Sequence, residues 1–366
     1  MRPIQRFAAC AFIPGLLILA GCGGIFVLNS IVPPTAPTSV AQYRAYGDSI
    51  TAGALLSDPA TQSYPVLVAE FEKVTFANNA LGADQACDVP KRQIFPNADS
   101  PTLATHPWYT VLIGTNDVGA KGAGAYETVY KLCQRASISW LALPIEYKIL
   151  ANGSGVTTTG PGMLDTSNNW NAWTTQGLGS SVSFVITTTQ TGPIYAWPRI
   201  DDNIAATYTY SLDGVIIGTG TMQTTPSIST GNGTTSSLGF LRLPAVGAGT
   251  HVVTFTQTNT GANGLSIVGI GTPIGPATNK LPTVLVGTVP YQLSGSTSAC
   301  ANTDTPCLDY IQDIEADINL FAADGLNVRL FDTRQYMFGT AAEMSDALHP
   351  NALGQLELSH SVETSW

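Results

Sequence analysis

The sequence predicts an α/β domain with a mostly parallel sheet, interrupted by an all-β insertion. Residues 43–150 and 276–366 alternate short apolar runs with helical patterns, an order typical of βαβ units. Residues 151–275, between them, carry only six charged side chains and are dominated by Thr, Ser, Gly and β-branched residues. Without this insertion the two outer stretches add up to about 200 residues, an ordinary size for one domain.

The first stretch opens with a short strand at residues 44–46 that leads into Gly47. Residues 63–73 have helical character, and the apolar runs 74–81 and 109–114 predict two further strands. Strands separated by helices favour parallel pairing, because the helix returns the chain to the start of the next strand.

The same order returns after the insertion. Residues 282–289 predict a strand, and residues 326–331 predict another. Between them, residues 310–324 predict a helix that ends at Gly325. The apolar side chains of this helix recur at helical spacing and predict one buried stripe: Ile311, Ile314, Ile318 and Phe321.

The insertion predicts a compact β module. Asp213-Gly214 is a strong signal for a hairpin turn, and β-branched and aromatic runs lie on both sides of it. Five such runs predict short strands, at residues 182–189, 206–212, 215–219, 250–256 and 265–270. Many short strands separated by turn residues are typical of a sandwich or a jelly roll.

The amino-terminal segment predicts export. Arg2 and Arg6 precede an apolar run at residues 7–20, which is too short and too interrupted for a membrane-spanning helix. The run ends in Leu-Ala-Gly-Cys, which resembles the lipobox of bacterial lipoproteins. That resemblance implies a signal peptide at residues 1–21, acylation of Cys22 and a location at the outer membrane or the cell surface. The Pro-rich stretch that follows, to residue 42, predicts an extended tether.

Four further cysteines are candidates for disulfides, because an exported protein folds in an oxidising compartment. They allow three pairings. Cys300 and Cys307 lie close together in a polar loop, so their pairing is favoured, together with Cys87–Cys133. A metal site is the alternative, but the sequence has no close Cys-x-x-Cys or histidine partner for one.

The charge pattern argues against nucleic acid as a partner. The chain has 15 Lys and Arg against 25 Asp and Glu, a net charge of −10, without any basic cluster. A protein that holds a phosphate backbone needs a basic patch or stripe.

Ser49 and His349 are the candidates for nucleophilic catalysis. Ser49 follows the first predicted strand, where a parallel sheet presents functional groups. A serine hydroxyl needs a base, and His349 lies three residues after Asp346, which can hold one ring nitrogen while the other faces the serine. Alone, the Asp48-Ser49 pair is also compatible with a simple helix cap.

Two further turns predict donors for the oxyanion that develops in acyl transfer. Asn116 follows the strand predicted at residues 109–114, so its amide can project at the same sheet edge as Ser49. Gly82 follows the preceding strand and can offer a backbone N–H where a side chain would block approach.

These motifs together resemble the four blocks of the SGNH (GDSL-like) hydrolases: Gly47-Asp48-Ser49, Gly82, Gly114-Thr115-Asn116-Asp117 and Asp346-x-x-His349. The resemblance implies a three-layer α/β/α sandwich and ester hydrolysis through an acyl-enzyme without metal or cofactor. It implies that Ser49 is the nucleophile, His349 the base and Asp346 its orienter. The oxyanion hole would consist of the Ser49 and Gly82 N–H groups and the Asn116 amide. The β module at residues 151–275 is not part of the minimal family pattern.

The role of the module stays open at this point. Its aromatic side chains can either stack on sugar rings or fill the sandwich core: Trp170, Trp173, Trp197, Tyr195, Tyr208 and Tyr210. The four motifs and the leader sequence together predict a lipid-anchored esterase for acyl groups on glycans. The alternatives are a lipase-like or lysophospholipase-like enzyme with a lipid ester as substrate, and a non-catalytic glycan-binding protein.

Overall fold

The structure is a computed structural model. It describes residues 20–21, 24–25 and 43–366, except residues 98–99, 106, 123, 168, 261–263, 274–280, 302 and 366. The chain divides into two units, Met1–Thr38 and Ser39–Trp366. In the first, Ala20–Gly21 and Gly24–Ile25 pair as short antiparallel strands. Cys22, the predicted lipidation site, and the predicted tether lie outside the described residues. Where the structure is described, it contains no helix with the length and hydropathy needed to cross a bilayer.

The second unit combines seventeen strands and seven α-helices in its described part. The strands are β1 Tyr43–Gly47, β2 Phe76–Asn78, β3 Trp108–Leu112, β4 Lys148–Leu150, β5 Val156–Thr159, β6 Gly162–Asp165, β7 Ala172–Thr175, β8 Ser181–Thr188, β9 Tyr195–Asp201, β10 Thr207–Leu212, β11 Val215–Thr221, β12 Ser236–Leu238, β13 Leu241–Arg242, β14 Gly249–Gln257, β15 Ser266–Gly271, β16 Thr283–Gly287 and β17 Val328–Phe331. The helices are α1 Ser49–Ala52, α2 Pro59–Gln62, α3 Tyr64–Glu72, α4 Thr115–Lys121, α5 Glu127–Ala142, α6 Thr305–Ala323 and α7 Ala352–Glu363. A π-helix covers Val89–Ile94, and a 3-10 turn covers Ile145–Tyr147.

Five strands form the predicted parallel sheet, in the order β2-β1-β3-β16-β17. All of β3 is buried, as is typical of a central parallel strand covered on both faces. The chain leaves β1 toward β2 on one side and reaches β3 on the other. The carboxyl ends of β1 and β3 therefore form a topological switch point, where ligands bind in open α/β sheets.

Helices cover both faces of this sheet. Tyr43 and Ala45 of β1 pack with α3 and α7, whereas Tyr46 faces the opposite way and packs with α5 and α6. This alternation follows from the two-residue period of a strand. The arrangement has three layers, with helices on either side of the sheet.

The β module is a sandwich of two antiparallel sheets. One sheet has the order β11-β10-β14-β8-β5, and the other has β12-β9-β15-β7-β6 with β13 and β4 attached to it. Side chains from both sheets share one core, including Phe184 of β8 and Ile267 of β15. The outer face of the second sheet packs on the α/β body, where the Trp197 indole N–H donates to the Ser139 hydroxyl of α5 at 2.9 Å.

Most aromatic residues of the module belong to its cores. Trp170, Trp197, Tyr195 and Tyr208 are at most 5% exposed. Trp173 and Tyr210 are half-buried. None of these four rings is free to stack on sugars. Tyr208 fills the sandwich core as predicted, whereas Trp170, Tyr195 and Trp197 belong to the core that the module shares with the α/β body.

Several element bounds differ from the prediction. The strand predicted at 74–81 comprises only Phe76–Asn78, and the helix predicted at 310–324 begins five residues earlier, at Thr305. Strand β4 begins at Lys148, before the predicted start of the module at residue 151, and it already pairs antiparallel with β15 of the module. Helices α4 and α5 and seven module strands were not predicted at all: β4, β5, β6, β7, β9, β12 and β13. The predicted domain bounds themselves stay a prediction.

Candidate active site

Ser49 lies at the tight turn that leads from β1 into α1. Asp48 is the N-cap of α1, and its Oδ1 accepts the Ile50 N–H at 2.9 Å. The turn needs glycine at position 47, because a Cβ there would overlap the Leu112 carbonyl oxygen and the Thr51 side chain. Asp48 therefore serves as the helix cap, and the half-buried Ser49 hydroxyl remains available for another partner.

That partner is His349. Its Nε2 lies 2.9 Å from Ser49 Oγ, although the two residues are 300 positions apart in the chain. Its Nδ1 lies 2.9 Å from Asp346 Oδ2. The three residues predicted as nucleophile, base and orienter therefore form one continuous hydrogen-bonded line.

The ionisation state of Asp346 determines which ring nitrogen of His349 carries the proton. Partial burial acts to raise the pKa of Asp346, but hydrogen bonds from the His349 backbone and ring and from the Leu348 N–H outweigh it and lower the pKa. An ionised carboxylate only accepts hydrogen bonds. His349 therefore carries its proton on Nδ1, and Nε2 is free to accept the Ser49 hydroxyl proton.

Asn116 and Gly82, the predicted oxyanion donors, follow β3 and β2, the two strands that flank β1 in the sheet. Asn116 is in the first turn of α4, half-buried, and its Nδ2 donates to the Asp84 backbone oxygen at 3.0 Å. Gly82 is exposed in the loop after β2. Leu81, beside it, donates its N–H to the Gly47 oxygen at 3.2 Å, which joins this loop to the turn of Ser49.

A buried glutamine that the sequence analysis missed connects these loops. Gln93 Oε1 accepts the Gly47 N–H at 3.0 Å, and its Nε2 donates to the Gly47 oxygen and to Asp84 Oδ2, both at 2.7 Å. Asp84 also pairs with Arg92 and accepts Asn232 Nδ2 of the β module at 2.9 Å. No signal in the sequence points to these contacts, because Gln93 lies 46 residues from Gly47 and Asn232 lies 148 residues from Asp84.

A second missed glutamine holds the carboxyl-terminal helix against the nucleophile turn. Gln355 of α7 accepts the Tyr64 N–H at 2.8 Å and donates to the Ile50 oxygen at 2.9 Å. Because α7 follows His349 directly, this contact helps to fix the distance between the histidine and Ser49.

Buried acids surround the site and have raised pKa values. Burial raises the pKa of Asp48 to about 7 and that of Asp84 to about 6. Burial likewise raises the pKa of Asp117 to about 8, against the effect of the Ala86 N–H that it accepts. Among the described residues, no hydrogen bond joins the carboxyl groups of Asp48, Asp84 or Asp117 to Ser49 or His349.

A cleft of about 550 Å³ is lined by Asn116 and by Ala347 and Leu348, the two residues before His349, whereas Ser49 and His349 are not among its lining residues. Its lining comes from the oxyanion loops, from the β module, from the disulfide-bonded loop before α6, and from the two residues that precede His349. The lining residues are Ala83, Gln85, Thr115, Asn116, Gly119, Ala120, Gly231, Gln292, Thr297, Ser298, Ala299, Ala347 and Leu348.

Both favoured disulfides are present, Cys87–Cys133 and Cys300–Cys307. Cys87 and Cys133 join the loop before the π-helix to α5. Cys300 and Cys307 close the loop that lines the cleft. Asp304 lies close enough to Cys300 and Cys307 for a shared metal, but both sulfurs are bound to each other.

The remaining described histidines have other partners. His251 lies between Asp213 and the Gly247 carbonyl in the β module, and His360 pairs with Glu357 at 3.4 Å on α7. His106 lies outside the described residues.

No protein-family model matches the chain, and no curated protein matches it significantly. Among solved structures, a two-domain esterase (CEX) active on acetylated mannans, co-crystallized with mannopentaose, is 13% identical with a TM-score of 0.36. It covers 63% of this chain and 89% of its own. A family 35 carbohydrate binding module from an environmental isolate is 17% identical with a TM-score of 0.28, covering 36% of this chain and 97% of its own. At these identities and TM-scores the similarities decide neither the fold nor the activity.

Proposed function

We propose that this protein is a serine esterase of the SGNH type, which hydrolyses carboxylic esters through an acyl-enzyme. The observation that carries the proposal is the 2.9 Å contact between Ser49 Oγ and His349 Nε2, with Asp346 at the other ring nitrogen. A nucleophile, a base and an orienting acid in hydrogen-bond contact are the combination that acyl transfer requires.

In the proposed reaction, Ser49 Oγ attacks the ester carbonyl carbon while His349 Nε2 accepts the hydroxyl proton. Asp346 stabilises the imidazolium that forms. When the tetrahedral intermediate collapses, His349 donates the proton to the leaving alcohol, and the acyl group stays on Ser49. A water molecule then attacks the acyl carbon with His349 again as base, the bond from that carbon to Ser49 Oγ breaks, and His349 returns the proton to Ser49 as the carboxylic acid leaves. The mechanism uses no metal and no organic cofactor.

The developing oxyanion is proposed to bind the Ser49 and Gly82 N–H groups and Asn116 Nδ2. The bond from Asn116 to the Asp84 oxygen supports this, because it holds the amide at the switch point of the sheet. Each such donor is typically worth about 10²- to 10³-fold in rate.

We propose a short acyl group on a hydroxylated alcohol, such as a glycan. The described lining of the cleft consists of small or polar residues, with Leu348 as its one large apolar side chain. Its amides and hydroxyls can form hydrogen bonds with the hydroxyl groups of a sugar. A preference for long acyl chains would favour the lipase-like alternative instead.

For the location, we propose that the protein is exported and held at a membrane by an acylated Cys22. The support is the sequence of the leader and its resemblance to a lipobox. The esterase would then act at the outer membrane or the cell surface.

The test is hydrolysis of an ester panel, from acetyl to long acyl chains, by a soluble form that begins at Gly23. We expect activity on short chains, a loss of at least about 10³-fold in Ser49→Ala, and normal activity in the control Ser57→Ala, an exposed serine. A preference for long chains would favour the lipase alternative. Full activity in Ser49→Ala would contradict the proposal, and a wild-type protein without any turnover would favour a binding protein.

A further inference from the structure

The cleft lined by Asn116 and Leu348 has no charged side chain in its described lining and so suits a neutral ligand. Six of its lining side chains are polar but uncharged: Gln85, Thr115, Asn116, Gln292, Thr297 and Ser298. No Lys, Arg, Asp or Glu side chain lines it within the described residues. A volume of about 550 Å³ is far more than a short acyl group fills, and falls in the range typical of small-molecule sites.

One wall of the cleft contains a buried side-chain oxygen that accepts no hydrogen bond from the described residues. Gln85 is only 1% exposed, and its Nε2 donates to the Asn116 backbone oxygen at 3.4 Å. Its Oε1 is buried and accepts no hydrogen bond from any described residue. Buried acceptors are almost always satisfied, so an orphan at the wall of a cleft points to a ligand or solvent donor.

Hydrogen bonds hold two other parts of the cleft wall in place, one from the β module and one from the loop before α6. From the β module, Thr230 donates its hydroxyl to Asp88 at 3.0 Å, and this fixes the neighbouring Gly231 at the cleft. From the loop before α6, Ser298 donates to the Ala347 oxygen at 3.0 Å, next to the catalytic His349 pair. The walls of the cleft are therefore preformed, and they include Asn116 and the two residues before His349.

We propose that this cleft is the subsite for the alcohol part of the ester, a neutral sugar residue, and that Gln85 Oε1 accepts a hydrogen bond from a sugar hydroxyl. The proposal rests on the proposed esterase function. Hydroxyl groups are donors that match the orphan acceptor, and they suit a wall of uncharged amides and hydroxyls. Glycine at position 231 leaves the module side open to the ring.

The test compares two acetate esters, an acetylated neutral methyl glycoside and cyclohexyl acetate, which lacks free hydroxyls. In the wild-type protein we expect kcat/KM to favour the glycoside at least tenfold. In Gln85→Met, which removes the acceptor at similar volume, we expect this ratio to fall about tenfold. Gln312→Met, an exposed position on α6, should keep the wild-type ratio.

The outcomes separate the two proposals. If neither ester is turned over in a Ser49-dependent way, the proposed function fails. If Ser49-dependent turnover occurs without preference for the glycoside, the subsite is overturned and the esterase stands. An unchanged ratio in Gln85→Met also overturns it, because a water molecule or a purely structural role would then account for Gln85. Should Gln85→Met not fold, the wild-type comparison decides.

Discussion

Asp117 is a fully buried carboxyl next to the proposed oxyanion residue Asn116. Its oxygens accept the Ala86 N–H at 3.2 and 3.0 Å, which joins the loop after β2 to the start of α4. Burial raises its pKa from 3.8 to about 8. The folded state therefore binds a proton on this group more tightly than the unfolded state does. Its contribution to stability is fully present below pH 4 and is lost as the pH rises through 8.

We predict that Asp117→Asn flattens the pH dependence of stability. Between pH 4 and 8 the free energy of unfolding of the wild type should fall relative to that of the variant by a few kcal/mol, since one pKa unit corresponds to about 1.4 kcal/mol. Urea denaturation at several pH values measures it. The control Glu315→Gln, which changes an exposed carboxylate on α6, should show the same pH dependence of the free energy of unfolding as the wild type. Parallel wild-type and Asp117→Asn curves would contradict the prediction.

At the scale of elements, a loop of the β module reaches the oxyanion loops. Asn232 donates to Asp84 Oδ1, Gln93 donates to Asp84 Oδ2, and the Asp84 backbone oxygen accepts the Asn116 amide. Asn232 thus acts on Asn116 through Asp84 and is a positioning residue. Catalytic donors lose effect when their supporting contacts loosen.

We predict that Asn232→Ala lowers kcat on a short-chain ester about three- to tenfold with little change in KM. The reason is that substrate binding stays intact while the oxyanion donor is held less well. Steady-state kinetics with a thermal melt for each variant provide the measurement. Asn319→Ala, an exposed Asn on α6, serves as control. A rise in KM at constant kcat would instead place Asn232 in substrate binding.

Two physical reasons explain why the sequence analysis missed some of the helices and strands. Helix α5 lies between the parallel sheet and the β module, so residues on most of its surface are buried, from Val129 to Ala142. Polar residues are buried among its apolar ones, including Gln134, Ser137 and Ser139, so the hydrophobicity of its sequence understates how buried it is. The missed strands β5 and β6 are only four residues long and largely exposed, so their side chains show no alternation.

At the scale of the whole molecule, the module and the α/β body share one core. Trp197 of the module is completely buried, bonds Ser139 of α5 and packs edge-on against Trp140 with ring centroids 5.1 Å apart. Residues Ser39–Trp366 form one compact unit. Two parts that bury their aromatic side chains in each other are expected to unfold together.

We predict a single unfolding transition in the wild type and a loss of about 3–5 kcal/mol in Trp197→Ala, from the cavity at the joint. Calorimetry with near-ultraviolet circular dichroism measures both. Trp173→Ala, which changes a half-buried indole within the sandwich, should lose less. Two well-separated transitions in the wild type would show instead that the module folds independently.

Short-range patterns in the sequence were enough to predict much of the fold and the candidate catalytic residues. Apolar periodicity predicted the parallel strands and α6, and local motifs predicted Ser49, Asp346 and His349, because each signal lies within a few residues of chain. The favoured disulfide pairing rested on spacing in the same way. Only the tertiary structure decided that Gln93, Asp84 and Asn232 contact the loops around Ser49, that Gln85 lines the cleft, and that Trp170 and Trp197 fill the joint between the module and the body. Those contacts join distant residues of ordinary polar or aromatic type, whose role depends on which surfaces the fold brings together.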